Sequence, residues 1–412
     1  MGPSLGAVYG GSGRGATAEK RVWSAQVIWD EPSAQRSTLR KIMVLSSTRI
    51  EELAREAGFA AAGIAAVPEP GSAEDEEERA RFAGWVEEGR AGTMEYLKRR
   101  DEAGRLVRSS VRVALPWARS VIVCAANYHS AEPRSTDPAP EGAGWIARYA
   151  WTGNGDRPTD YHKVLLRRLE AMRDRLKEEA GPFESRCFVD TGPVVERVYA
   201  RYAGVGWTGK NTCLLNQRLG SWLFLGVIVT SLEVEAEQKV QLAADCCGSC
   251  TRCIDACPTG ALTAPREMDA SRCIAYLTIE NRGAMPEELR AGVGRQVFGC
   301  DICQDVCPWN RRAPVAADPE LRPRRELVNP ALEWLAEMDA PEFGRRFNGS
   351  PVRRAKFLGF RRNLAIAMGN SGQPRYLPQL QEWSRDTDPV LAEAAEWALR
   401  NLRRGKSSGE RL

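Results

Sequence analysis

Cys247-Gly-Ser-Cys250-Thr-Arg-Cys253-Ile-Asp-Ala-Cys257-Pro258 is a C-x₂-C-x₂-C-x₃-C-P run, and Cys300-Asp-Ile-Cys303-Gln-Asp-Val-Cys307-Pro308 repeats its last three cysteines. In such a run three thiolates from one tight loop hold three irons of a cubane, and the fourth is carried onward to a second cluster. The second array has Val297 where its first cysteine should stand, and Cys273, upstream, can supply that thiolate. Exchange between the arrays then groups Cys247, Cys250, Cys253 and Cys307 on one [4Fe–4S] cluster. Cys257, Cys273, Cys300 and Cys303 form the other. Structural zinc is the competing reading, but zinc uses two separated ligand pairs around one ion, and neither array has that form. The remaining cysteines, Cys124, Cys187, Cys213 and Cys246, are expected to be buried or incidental thiols.

The rest of the chain fits an intracellular redox protein. With 412 residues it is long enough for two to three domains. A hydrophobic content of 43% and a charged content of 27% are those of a water-soluble chain. Its longest apolar run, Trp222 to Val229, is too short to span a bilayer, and no secretory signal is visible. Twelve cysteines in such a chain are expected to be thiols or ligands in a reducing cytoplasm. The formal charge of +4 is small, so nucleic-acid affinity must come from a local patch. From Arg345 to Leu412 there are 14 Lys plus Arg against 6 Asp plus Glu, with Arg345, Arg346, Arg353, Arg354, Lys356, Arg361 and Arg362 at the centre of the excess. That patch is the expected nucleic-acid surface.

Upstream of the cysteines, Ala61–Val67, Ser120–Tyr128, Arg186–Thr191 and Leu223–Leu232 read as strands, and Glu74–Arg100 and Asp160–Glu179 as amphipathic helices. This alternation predicts an α/β or α+β domain with a central sheet. The Pro/Gly/Asp-rich stretch from Glu132 to Asp160 reads as a surface loop. A charged, Pro-rich linker, Arg311–Arg325, leads to a helical C-terminal region in which Asp386-Thr387-Asp388-Pro389 opens the last helix. Helix pairs of this kind occur in HEAT-type repeats and in plain bundles. Residues 1–42, rich in Gly, Ser, Arg and Ala at their start, read as a disordered extension.

No nicotinamide or Walker-type loop serves the first domain, and two histidines exclude a histidine-rich metal centre. Three polar stretches remain: Tyr149 with Asp160-Tyr161-His162-Lys163; Phe188-Val189-Asp190-Thr191-Gly192-Pro193 with Glu196-Arg197; and Gly206-Trp207-Thr208-Gly209-Lys210-Asn211. Asp190 reads equally as a helix N-cap, and the glycine-rich stretch equally as a plain turn. Their coexistence beside a two-cluster relay favours a cofactor pocket.

Taken in order with Arg148-Tyr149-Ala150 and Gly299-Cys300-Asp301 through Cys307-Pro308-Trp309-Asn310, these motifs resemble the epoxyqueuosine reductases, from about Ile50 to about Leu402. The family's reductive-dehalogenase-like chemistry implies cobalamin, with cob(I)alamin fed by two [4Fe–4S] clusters, and reduction of epoxyqueuosine at the wobble position of tRNA. The implied organisation is α+β and multidomain. It comprises an extension (1–42), an α/β cobalamin-binding domain (43–240), a ferredoxin-like domain (241–315), a HEAT-like helical domain (316–405) and a tail (406–412). The resemblance makes Asp190 the proton donor. It makes Arg108, His162, Lys163, Asp190, Val195, Glu196, Arg197, Trp207 and Lys210 candidate cofactor contacts. It also implies a cytoplasmic monomer that binds a tRNA anticodon stem-loop, takes electrons from a ferredoxin or flavodoxin, and has no membrane partner. One departure is Trp151–Thr159, longer than the Gly-Arg usual there. Two rivals share parts of the pattern: a cobalamin reductase of small organohalides, and a tRNA-binding protein whose clusters are structural.

Overall fold

The computed structural model describes residues 45–154, 157–234 and 242–409. The expected extension 1–42 lies outside them. The described residues form one compact unit. No helix among the described residues is long and apolar enough to cross a membrane.

A four-stranded sheet organises the first part, in the order Ala61–Ala66, Ser120–Asn127, Leu223–Thr230, Ser185–Phe188, with every pairing antiparallel. Period-two alternation sends the two sets of side chains to different cores. Ile122, Cys124, Ala126 and Ile228 pack with Leu165, Leu169, Met172 and Leu176 of the helix Tyr161–Ala180. Val121, Val123, Ala125, Val227 and Val229 pack with Tyr199, Ala200 and Tyr202 of the helix Glu196–Tyr202. The close fit depends on glycine at Gly63, where a Cβ would lie 2.1 Å from the Ala203 carbonyl oxygen. All four expected strands are present. The expected helix Glu74–Arg100 stops at Glu87, just before Gly89 and Gly92 take positive φ.

The two cysteine arrays adopt the same backbone. Each carries a one-turn helix, Arg252–Asp255 or Ile302–Asp305, and the residue after each turn, Ala256 or Val306, sits at φ −81°, ψ −9°. Val297, in the place of the missing cysteine, is fully buried in the short strand Gln296–Phe298, which pairs in parallel with Trp145–Ile146.

That pairing corrects one expectation. The stretch from Glu132 to Asp160 is a surface loop only in part: residues 132–141 are mostly exposed, whereas Trp145, Ile146, Ala147, Arg148, Ala150 and Trp151 are all buried. Asp301 Oδ2 accepts from the Arg148 backbone N–H (2.7 Å) and Trp145 Nε1 (3.0 Å), and Asp305 Oδ2 accepts from the Ser135 backbone N–H (2.8 Å). These partners lie far along the chain, so Pro and Gly content misjudged the segment. The Arg311–Arg325 linker is likewise tied down. Arg168 pairs with Asp318 (2.5 Å) and Glu320 (2.9 Å), and Arg322–Pro323 pairs with Thr152–Asn154. Residues of the longer Trp151–Thr159 loop thereby dock on this strap.

The C-terminal helices, Leu332–Ala336, Ala340–Arg346, Lys356–Asn370, Leu377–Trp383 and Pro389–Gly409, share one core with the cysteine-rich segment. The last helix runs through most of the expected tail 406–412. The expected basic patch is largely consumed by pairing. Arg362 is 1% exposed and donates to the carbonyls of Asn281, Gly283 and Leu277. Arg354 pairs with Glu280, Arg361 with Asp386, and Arg345 and Arg346 with Glu342.

Candidate active site

The central sheet, the helix starts that follow it and the second cysteine array enclose a cavity of about 1880 Å³. This exceeds the usual range for drug-sized ligands, about 300–1,000 Å³. Of the expected contacts, Arg108, His162, Lys163, Asp190, Val195, Glu196 and Arg197 line it, as do Cys273, Cys300 and Cys303.

Asp190 stands two residues beyond the strand Ser185–Phe188 with φ +56°, a left-handed conformation that Asp tolerates better than most residues. It is not an N-cap: Val195 holds that position for the next helix and makes no side-chain cap. The Tyr161 hydroxyl donates to Asp190 Oδ2. The Tyr161 ring is fixed between Phe224 and His162, with centroids 4.0 Å away on both sides. Burial and the Asp190 charge push its phenol well above the ordinary range. His162 Nε2 lies 3.7 Å from Asp190 Oδ2, and His162 Nδ1 lies 2.6 Å from Asp160 Oδ1. Although burial works against it, Asp160 is held below the usual carboxylate range by that imidazole. The Asp190 side chain itself is 53% exposed, facing the cavity.

Beside it, Glu196 opens the helix Glu196–Tyr202. Its Oε1 is buried with no hydrogen-bond partner. Burial, then the Asp190 charge, pushes its carboxyl up to about 7. The residues fit the expected corrin in three respects: the cavity is large, its wall carries apolar surface from Val194, Val195, Leu223 and Phe224, and thiols stand on its edge.

Trp207 and Lys210 are not on the cavity wall. Trp207 Nε1 lies 3.5 Å from Cys247 Sγ, its ring is 5.2 Å from that of Trp309, and Lys210 Nζ donates to the Gly248 carbonyl (2.6 Å). The turn holds the first cysteine array instead. The reason is backbone fit: a Cβ at Gly206 would lie 2.1 Å from the Leu215 carbonyl oxygen, so the turn closes as a hairpin there.

The thiols fall into two neighbourhoods. The Cys253 thiol feels Cys247 and Cys250, and Cys307 feels Cys247 and Cys253. Cys273 feels Cys257, Cys300 feels Cys273 and Cys257, and Cys303 feels Cys300 and Cys273. Cys213, expected to be incidental, hydrogen-bonds Cys303 and lines the cavity. Sequence reading missed that contact and the Tyr161–Asp190 pair. Tyr161 does lie in a motif noted for its polarity, which was the available signal.

Residues 246–310 match the model of a 4Fe-4S double cluster binding domain, and residues 108–191 match that of epoxyqueuosine reductase QueG, DUF1730. The chain therefore carries two [4Fe–4S] clusters. It is 40% identical over 357 residues to the epoxyqueuosine reductase of Xanthomonas campestris pv. campestris, covering 86% of this chain and 95% of that one. It is 39% identical over 356 residues to that of Pseudomonas aeruginosa, covering 85% and 93%. A crystal structure of an epoxyqueuosine reductase with an epoxyqueuosine-modified tRNA-Tyr stem loop superposes with a TM-score of 0.74 at 30% identity, covering 86% of this chain and 89% of that one. The chain is an oxidoreductase and belongs to the epoxyqueuosine reductase family.

Proposed function

We propose that this chain reduces epoxyqueuosine to queuosine at the wobble position of tRNA anticodons, the last step of queuosine synthesis, as a cytoplasmic monomer. The observation that carries the reading is one wall of one cavity: Asp190, bonded by Tyr161, shares it with Cys273, Cys300 and Cys303. Cys257, Cys273, Cys300 and Cys303 would hold the inner cluster. Cys247, Cys250, Cys253 and Cys307 would hold the outer one, which takes electrons from a ferredoxin or flavodoxin. Arg108, His162, Lys163, Val195 and Arg197 would hold cobalamin, which in its reduced form supplies a strong nucleophile and two electrons.

The chain's own residues then do three things. Tyr161 and His162 orient the Asp190 carboxyl toward the cavity and stabilise it once it has given a proton to the opening epoxide oxygen. The apolar wall excludes water. The target base must leave the anticodon stack to reach this depth, and the C-terminal helices, as a HEAT-like domain, would bind the stem-loop through backbone contacts. Of the central residues of the expected patch, Arg353 and Lys356 are the exposed ones with no carboxylate partner among the described residues, and the binding surface is narrowed to them.

Anaerobic incubation with cobalamin, a chemical reductant and epoxyqueuosine-bearing tRNA, followed by nucleoside mass spectrometry, tests the proposal. Queuosine is the expected product. Unchanged epoxyqueuosine, from protein shown to carry iron and corrin, would overturn it.

A further inference from the structure

Opening an epoxide to an alkene breaks two C–O bonds, forms one C=C bond and releases the oxygen as water, so it consumes two electrons and two protons. The electrons come from the reduced corrin of the reaction proposed above, on which this inference rests. Asp190 is the proposed source of one proton, and the oxygen needs a second.

We infer that Glu196 is the second acid of the site, giving its proton to the oxygen that Asp190 has already protonated once. The two carboxyls share the cavity wall but differ in their surroundings. Asp190 receives the Tyr161 hydroxyl and has the His162 ring 3.7 Å away. Glu196 has one oxygen, Oε1, buried with no hydrogen-bond partner, and although its own backbone N–H bonds the carboxyl, burial of the charge is only partly offset and the neutral acid is favoured. The charged groups facing it are the Asp190 carboxylate, which opposes ionisation, and Arg108 and Arg197, which assist it. Burial outweighs the two arginines, and the carboxyl stands at about 7. Two neighbouring carboxyls in unlike environments divide the work of an acid–base pair in this way. No other group on the wall repeats the combination of a carboxyl and an unpartnered, buried oxygen among the described residues.

Glu196→Gln and Glu196→Asp in the full chain test this in two independent ways. In corrin-free protein, infrared titration should show a protonated-carboxyl band that is lost as pH rises through about 7 and is absent from Glu196→Gln. A Glu196 carboxylate ionised from about pH 5 upward would overturn the inference. In single turnover with excess reductant, Glu196→Gln should be slower by about 100-fold or more at unchanged corrin loading and stem-loop affinity. The wild-type rate should fall as pH rises through about 7, and Glu196→Asp should restore most of it. Full activity in Glu196→Gln, or a loss matched by loss of corrin, would overturn the inference, the latter marking Glu196 as a cofactor contact. If wild-type enzyme leaves the stem-loop unconverted, the parent proposal fails, whereas the infrared titration reads Glu196 by itself.

Discussion

Trp207 offers a single-atom handle on one cluster. Its indole N–H lies 3.5 Å from Cys247 Sγ, and its ring is held edge-on against Trp309, so Trp207→Phe removes the donor while keeping most of the packing. Hydrogen bonds to cluster sulfurs favour the more negative, reduced state, and their loss lowers the potential. A hydrogen bond to a full charge is worth about 1.5–3 kcal/mol. An added electron is spread over the four thiolate-bound corners of the cubane, so one sulfur gains at most about a quarter of that charge, and the bond strengthens on reduction by roughly 0.4–0.75 kcal/mol. At 59 mV per tenfold change for one electron, this is a shift of about 15–35 mV to more negative potential. Anaerobic redox titration followed by electron paramagnetic resonance reads both clusters separately. One should move and the other stay, because the thiols proposed for the inner cluster, Cys257, Cys273, Cys300 and Cys303, do not include Cys247. A shift of both clusters, of neither, or toward positive potential would refute the assignment of Cys247 to its own cluster and the role given to the indole.

Asp190→Asn should lower single-turnover conversion by about 100-fold or more with iron and corrin content unchanged, measured by nucleoside mass spectrometry beside metal analysis. Cys303→Ser should remove the inner cluster and leave the outer one, halving the iron bound per chain in anaerobically prepared protein. Arg362→Ala strips donors from three carbonyls, those of Asn281, Gly283 and Leu277, at 2.6–2.9 Å. At about 1 kcal/mol or more for each, it should cost about 3–5 kcal/mol, seen as a lower denaturation midpoint. Arg353→Glu, at a side chain with no carboxylate partner among the described residues, should weaken stem-loop binding and flatten its salt dependence without that loss of stability.

The cysteine arrays were legible because ligand spacing is a local property of the chain. Each array closes its own turn, and Ala256 and Val306 reach the same dihedral angles in both. Strands were legible for a similar reason: Val121 and Ile122 alternate toward different cores in a period the sequence displays. What failed depended on distant partners. Nothing near Trp145 or Arg148 announces Asp301, and nothing in a count of arginines reveals that Arg362 is buried against three carbonyls while Arg361 faces Asp386. Trp207 and Lys210 stand beside the first cysteine array and not on the cavity wall, and a glycine-rich turn looks alike in either place. The Tyr161–Asp190 bond joins a helix start to a strand end 29 residues later, a separation no pattern encodes.

The carboxylate of Asp301 sits next to a cluster thiol in the chain and yet grips the backbone of Arg148, one residue before Tyr149 on the cavity wall. Loading iron and seating the corrin are therefore expected to be coupled: iron-depleted protein should retain corrin more weakly than iron-loaded protein, as read by equilibrium dialysis.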